Sequence, residues 1–507
     1  MSGERQDIKF KRRKTGHVIP SYKLKLIDTL IECGVLKFGE FILKSKRESP
    51  YFLNFGELNS GKSTAILADS FAHLIIEHLG KKSKQIYLYG VPEKGVALAP
   101  TVSISIMKKY GIDTNWFFTR KAEKEYGEAT NLQKKDSIKR IIVGSVPPRN
   151  STVFMIDDVL TRGTGKLDEL KILKKYNIRV AALFIAVDRQ EVRIDGKNGV
   201  LEFTKNTGIP VYSILKTEEI LEYLRRSEND YSSHGVVNNK DFFKKMSAYL
   251  QVYGTDEIKS TLITSPNQDI IRGSIIPSCD RLTLHNFDEL VRQTSTLKMV
   301  GGYKIGFELA LKYGLPKVVR IARKYTRKML IYDHQKGGTD VPYTGQEFMR
   351  TVKTAGVDAV ILFPQAGPET ARAWIYRAYT EGLRVIVGGL MTHPAYTVSE
   401  GGFIDDKNAL DIYRIAAKAG VTDFVVPGTK VDAIKLVNGI LSKEHIKPIF
   451  YVTGFGRQEA VISQINNILH KNWHPIVGSA IYGAEKEHYY IATKAVITQF
   501  DRGESRV

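Results

Sequence analysis

The second half of this chain beats with a regular period, and that period restricts its fold more than any other feature. Short apolar runs stand at 275–279, 303–307, 329–332, 359–363, 385–390, 424–426, 449–452 and 476–477, with stretches of helical periodicity such as 409–419 and 457–469 between them. Eight strand–helix units in about 250 residues are the size and rhythm of a (β/α)₈ TIM barrel. An open sheet with the same strand count is the alternative.

The first half alternates as well, less evenly. Apolar runs at 85–91, 115–118, 152–156, 180–187 and 210–215 are separated by helical candidates such as 63–79 and 164–176, the pattern of an open, mainly parallel α/β sheet. Ser21 stands where it can cap a helix that carries Leu24, Ile27, Leu30 and Ile31 on one stripe. The stretch 227–239 (SENDYSSHGVVNN) reads as a linker. These signals divide the chain into a basic flexible tail at 1–20, a first domain at 21–226, a linker at 227–250 and a barrel at 251–507.

Composition narrows the function. The chain has 507 residues, 43% hydrophobic and 25% charged, ordinary globular values that exclude a disordered chain. No apolar run approaches the ~18 residues of a membrane span, and no signal-peptide pattern opens the sequence. Cys33 and Cys279 lie far apart without metal-spaced neighbours, which fits a reducing compartment, and the ending Ser505-Arg506-Val507 does not match the usual peroxisomal tripeptide; the cytoplasm is the default. Seventy-five Lys and Arg against 54 Asp and Glu give a net charge of +21, which attracts anions without saying whether they are nucleic acids or small phosphorylated metabolites. His334 and His393 belong to no HxH or HxxxH pair, so hydrogen bonding suits them better than metal ligation.

The richest segment of the first half is 153–165 (VFMIDDVLTRGTG). An apolar strand runs into Asp157 and Asp158, and a Thr/Gly loop then opens a helix. Gly163 lets the backbone approach a ligand, Thr161 and Thr164 add hydroxyl donors, and the N–H groups of the helix start point at an anion. The two aspartates suit ribose hydroxyls or a Mg²⁺-bound sugar. A capped helix start with two solvated aspartates is the bland alternative.

This segment resembles the type I phosphoribosyltransferases, and four further stretches resemble orotate phosphoribosyltransferase more narrowly. Residues 36–56 (LKFGEFILKSKRESPYFLNFG) are similar to that family's hood, which implies that Lys44 contacts the phosphoribosyl diphosphate (PRPP) donor and that Phe52 and Leu53 pack on the orotate ring. Residues 89–97 (YGVPEKGVA) resemble its pyrophosphate-side loop, with Lys94 as the lysine; residues 120–128 (RKAEKEYGE) resemble its mobile catalytic loop, with Arg120, Lys121 and Lys124 in the basic positions. Residues 188–191 (DRQE) match the orotate-binding arginine, here Arg189. Tyr126 replaces the histidine usual in the mobile loop, so the loop lacks a group that shuttles protons near pH 7. The implied chemistry is displacement of diphosphate at the ribose by orotate nitrogen, with Mg²⁺, bound mainly through PRPP, and clustered Lys and Arg stabilising the departing charge. Arginine, unlike lysine, can hold a carboxylate through two parallel bonds.

In the second half, 331–344 (IYDHQKGGTDVPYT) places Asp333, Lys336 and Asp340 beside two glycines after the third run. A surface salt-bridge cluster is the plain alternative. Residues 270–490 as a whole resemble orotidine 5′-monophosphate decarboxylase. The resemblance puts Asp280 of 276–280 (IPSCD) at the substrate-contacting aspartate and Lys304 of 303–308 (YKIGFE) in the charge network. It implies that Asp340 and Thr344 reach a neighbouring subunit's site, that Thr392 of 390–394 (LMTHP) reads the pyrimidine, and that 453–458 (TGFGRQ) and 477–482 (VGSAIY), with Arg457, Gln458, Gly478 and Ser479, hold phosphate. Asp333 would destabilise the bound carboxylate and Lys336 would protonate the ring carbon, without cofactor, in a homodimer with shared sites. Two departures stand out. The family usually spaces its tetrad aspartate–x–lysine–x–x–aspartate, whereas here two residues precede Lys336 and three follow it, so the loop must bulge at Gly337 and Gly338; and Ser479 replaces the phosphate arginine, with Arg457 as the substitute.

Both halves together resemble the bifunctional uridine 5′-monophosphate synthases, which act on orotate, PRPP and orotidine 5′-monophosphate. Two other readings remain: one active half, with the barrel serving another phosphorylated sugar, or a PRPP-sensing or nucleic-acid-binding regulator. No helix-turn-helix, RNP-type or zinc module supports the last, and neither nucleic acid nor membrane is expected as a partner.

Overall fold

Parallel strands buried on both faces need apolar side chains without interruption, and the sequence supplies them twice. The computed structural model describes residues 8–10, 19–79, 85–120, 138–160, 164–227, 239–264, 271, 273–334, 337–455, 462–470 and 473–502. Its two compact units divide between Ile263 and Thr264, with the residues before Phe10 grouped with the second.

The first unit holds a six-stranded sheet in the order Ile142–Gly144, Asn115–Thr119, Ile86–Gly90, Thr152–Val159, Val180–Asp188, Val211–Lys216. The first of these runs antiparallel to its neighbour and the others are parallel. Tyr89, Phe117, Met155, Leu183 and Ile185 form the core of one face. A separate antiparallel hairpin, Leu36–Ile42 with Glu48–Leu53, occupies the segment expected to be the hood. The first helix begins at Ser21, but Ser21 does not cap it: Pro20 holds the cap position, and its carbonyl accepts the N–H groups of Lys23 and Leu24. The buried stripe keeps Ile27 and Leu30 of the expected set and adds Leu26 and Thr29, while Leu24 and Ile31 are half-buried.

The last part of the expected linker is corrected, while 228–238 lie outside the described residues. Residues Asn239–Tyr253 form a helix of the first unit, with Met246, Tyr249 and Leu250 fully buried. A second short helix, Asp256–Lys259, follows it before the division, so the barrel does not begin at 251.

In the second unit eight parallel strands form one sheet, in the order Ile276–Pro277, Trp473–Val477, Ile449–Phe455, Asp423–Pro427, Arg384–Gly388, Ala359–Leu362, Met329–Asp333, Gly302–Gly306. Parallel bridges Ile275–Val300 and Ser278–Lys304 join first strand to second and close the barrel. Ile276, Ile331, Ile361, Ile386, Val425 and Tyr451 fill its interior. Helices on the outside start at capping side chains, such as Thr283 on the Asn286 N–H and Asp405 on the Asn408 N–H. At the amino ends of the strands, Arg384 Nη2 and Asp423 Oδ1 pair at 2.7 Å, Tyr451 donates to the same oxygen at 3.1 Å, and His474 Nδ1 lies 3.0 Å from Ser274 O.

Candidate functional site

Three side chains meet at the carboxyl end of the barrel. Asp280 follows the first strand, Lys304 lies in the second, and Asp333 ends the third. Lys304 Nζ donates to Asp280 Oδ1 at 2.8 Å, to Asp280 Oδ2 at 3.0 Å and to Asp333 Oδ2 at 2.9 Å. Ser278 Oγ donates to Asp280 Oδ2 at 2.7 Å. Glycine at 306, which pairs with Asp333 across the strands, makes the approach possible: a Cβ there would stand 2.0 Å from Asp280 Oδ1. Burial opposes the charge of Lys304, but the Asp333 and Asp280 carboxylates outweigh it and raise its proton affinity above the ordinary lysine value. The trio therefore carries a permanent ammonium between two acids. Burial pushes the neighbouring Cys279 thiol up, so it stays protonated and is not a nucleophile.

Asp340 is exposed; its Oδ1 accepts the Val341 N–H at 2.7 Å, and the Thr344 hydroxyl donates to Val341 O. Thr370 and Trp374 anchor the backbone of this segment through Asp340 O and Val341 O. The strand stops at Asp333, and the chain turns at Gly337 and Gly338, the latter with φ +92°. Thr392 is half-buried, and its carbonyl accepts from Thr429 Oγ1; Tyr396 braces the same loop through Gly389 O. Gly478 and Ser479 are half-buried at the head of the short helix Ser479–Tyr482. Lys336, Arg457 and Gln458 lie outside the described residues.

In the first unit the acid pair ends the strand Thr152–Val159. Asp157 is buried, and its Oδ2 pairs with Lys166 Nζ at 2.5 Å while Oδ1 accepts the Asp158 N–H. Burial pushes the Asp157 carboxyl up to about 6, against the pull of the Lys166 ammonium and with a further push from Asp158. Asp158 is half-buried, with Oδ1 on the Val159 N–H. Thr164 opens the helix Thr164–Lys175; Thr161 and Gly163 lie outside the described residues, as do Lys121 and Lys124. Arg120 is exposed at the end of the strand Asn115–Thr119. Lys94 Nζ reaches Asn54 Oδ1 at 3.5 Å, which brings the pyrophosphate-side loop to the foot of the hood. Lys44 is exposed at the hood's turn, and Phe52 stacks on Phe41 with centroids 5.5 Å apart.

Arg189 is not the free fork that its expected role suggests. It is buried, its Nε and Nη2 both donate to Glu191 Oε1, at 2.9 and 2.7 Å, and its Cζ lies 4.5 Å from the centroid of the Tyr51 ring. The side-on pair of donors is thus taken within the chain, and the end-on edge is the one turned from Glu191. Glu191 stood in the quoted DRQE without a role, and Lys166, two residues beyond Thr164, was not singled out. Lys166 is a buried and Glu191 a half-buried partner of an expected site residue, and only the fold reveals them.

Known proteins resemble each half. The profile of the orotidine 5′-phosphate decarboxylase / HUMPS family matches residues 275–491. Orotate phosphoribosyltransferase of Methylococcus capsulatus is 34% identical over 207 residues, 41% of this chain and 90% of that protein. The Photorhabdus laumondii enzyme of the same name is 31% identical over 234 residues, 46% of this chain and 99% of the relative. A crystal structure of orotate phosphoribosyltransferase from Francisella tularensis has 33% identity and a TM-score of 0.37, covering 46% of this chain and all of its own.

Proposed function

The chain belongs to the orotate phosphoribosyltransferase family through its first half and carries an orotidine 5′-phosphate decarboxylase domain at 275–491, and from that premise we propose which side chains do the work. Its function is the last two steps of uridylate synthesis: orotate and PRPP give orotidine 5′-monophosphate and diphosphate, and decarboxylation then yields uridylate.

The observation that carries the barrel assignment is the Asp280–Lys304–Asp333 array at 2.8–3.0 Å. In our reading Asp333 stands beside the substrate carboxylate, and their repulsion in a dry site is released as carbon dioxide leaves. Lys336 supplies the proton to the ring carbon, and Lys304 holds both acids in place before reaction, so no reorganisation is needed. Thr392 reads the pyrimidine, while Arg457, Gln458, Gly478 and Ser479 receive the phosphate. Asp340 and Thr344 complete the site of a second copy in a homodimer; the exposure of Asp340 and of the adjoining Val341 and Tyr343 supports this.

In the transferase half Asp157 and Asp158 take the ribose hydroxyls, the 161–164 nest with Thr161, Gly163 and Thr164 takes the 5′-phosphate, and Lys44, Lys94, Arg120, Lys121 and Lys124 face the diphosphate. Phe52 and Arg189 receive orotate. Among the described residues no group of three or more His, Cys, Asp or Glu side chains is arranged to hold a metal. The acid pair suits Mg²⁺ that arrives on PRPP, and the ion would neutralise charge on the departing diphosphate. Among the described residues no helix is long and apolar enough to cross a membrane. Both cysteines are free thiols, and on that ground we assign the enzyme to the cytoplasm.

A coupled assay tests the whole scheme. Protein with orotate, PRPP and Mg²⁺ should consume orotate and release uridylate; accumulation of orotidine 5′-monophosphate without uridylate would remove the barrel assignment. Lys336→Ala should stop decarboxylation and leave transfer intact.

A further inference from the structure

The helix Asn239–Tyr253 comes after the last strand of the open sheet, yet it is fastened to the segment that carries Arg189. The Val192 N–H donates to Tyr253 O and the Thr255 N–H to Gln190 O, each at 2.8 Å. Arg47 bonds Val192 O through Nη1 and sets its Cζ 4.8 Å from the centroid of the Tyr253 ring. Between these two rivets stands Glu191. Its Oε1 accepts from both Arg189 nitrogens and from the Tyr51 hydroxyl at 2.5 Å, and its Oε2 accepts from the Tyr249 hydroxyl at 3.2 Å. The Tyr51 and Tyr249 rings meet edge to face, 6.1 Å apart.

A carboxylate turns freely about its last bond unless both oxygens are engaged. Here one phenol from the hood and one from the helix bind opposite oxygens, which sets the carboxylate plane, and the guanidinium that shares Oε1 follows it. The Arg189 Cζ also lies over the Tyr51 ring, 4.5 Å from its centroid. A grip on a planar acid must hold within about 0.5 Å to be productive, and an arginine alone, with its many rotamers, does not meet that. Stability is a weak reason for such a cluster, since buried ion pairs add little over apolar packing of the same volume.

We propose that Tyr249 is a positioning residue for orotate binding: through Glu191 it fixes the plane of the Arg189 guanidinium, so a helix beyond the sheet is part of the transferase's orotate site. The proposal rests on the assignment of Arg189 to orotate.

Steady-state kinetics on the full chain test it, with Tyr249→Phe, Glu191→Gln, the double variant and Arg189→Lys, and with decarboxylation of added orotidine 5′-monophosphate counting the chains in each sample. Loss of one hydrogen bond should raise the KM for orotate about three- to tenfold in Tyr249→Phe, with the KM for PRPP and kcat little changed. If Tyr249 acts through Glu191, the double variant should be no worse than Glu191→Gln alone. Should Arg189→Lys raise the orotate KM while Tyr249→Phe leaves it untouched, the proposal fails and the Arg189 assignment stands. If Arg189→Lys changes nothing, the assignment itself falls and takes the proposal with it. A Tyr249→Phe chain that loses melting temperature and both substrates' KM together would show a merely structural tyrosine and overturn the proposal.

Discussion

The ammonium of Lys304 lies 2.9 Å from the Asp333 carboxylate, on the neighbouring strand of the barrel. The two are not directly opposite in the register, where Lys304 faces Ile331 and Gly306 faces Asp333. The lysine therefore reaches along the strand towards the mouth, past the empty side of Gly306, to lie between two acids. The array is fixed by backbone geometry before any substrate arrives.

Removing that cation should disable one reaction only. Lys304→Met leaves Asp280 and Asp333 facing each other without a counter-charge, and decarboxylation should fall about 10²–10³-fold. Orotate consumption in the same sample should be unchanged. Equal loss of both activities would contradict the assignment.

Gly306→Ala is a finer probe, because it adds a methyl group 2.0 Å from Asp280 Oδ1 and alters no charge. Asp280 must move, and a displacement of that size should cost the decarboxylase about 10²-fold. A crystal structure of the variant should show the Asp280–Lys304 bonds lengthened.

The transferase should show an acid limb. Asp157 must be ionised to accept a ribose hydroxyl, and its carboxyl titrates near 6, pushed up by burial. kcat/KM for PRPP should rise as pH increases through about 6. In Lys166→Met the ammonium that favours the ionised form is gone, so the inflection should move to higher pH. A profile that stays where it is would show that Asp157 does not govern donor binding.

Barrel stability should depend on His474. Burial, with the charge of Arg384, lowers its proton affinity below that of a free imidazole, despite the Ser274 carbonyl and Asp423. The unfolded chain then binds this proton more readily, so folded stability is complete above the ordinary histidine value of about 6.5 and declines as pH falls below it. Heat inactivation of the decarboxylase, followed between neutral and mildly acid pH, should accelerate towards acid, and His474→Gln should weaken that dependence.

Most of the architecture could be read directly, because buried parallel strands are written as unbroken apolar runs: 359–363 and 180–187 could hardly be anything else. Asp280, Lys304 and Asp333 were found by resemblance, and the fold joins them. The helix Asn239–Tyr253 was not legible. It follows a Ser/Asn-rich stretch, mixes lysine and tyrosine, and owes its place to partners such as Tyr51 and Glu191, far away in the sequence. Lys166 was missed for the same kind of reason: a lysine in the first turn of a helix looks solvated until Asp157 and Val159 O close over it. Ser21 misled because Pro20 ahead of it had already set the helix start.

The first barrel strand, Ile276–Pro277, pairs with Trp473–Val477, which is made only after the six strands between them. The sheet of the other unit is complete by Lys216, and the helix that braces Arg189 by Tyr253. Domains generally fold as units in the order they emerge. Translation thus delivers the enzyme that makes the intermediate before the one that consumes it, and a message cut short ahead of Trp473 would leave a cell producing orotidylate with no barrel to empty it.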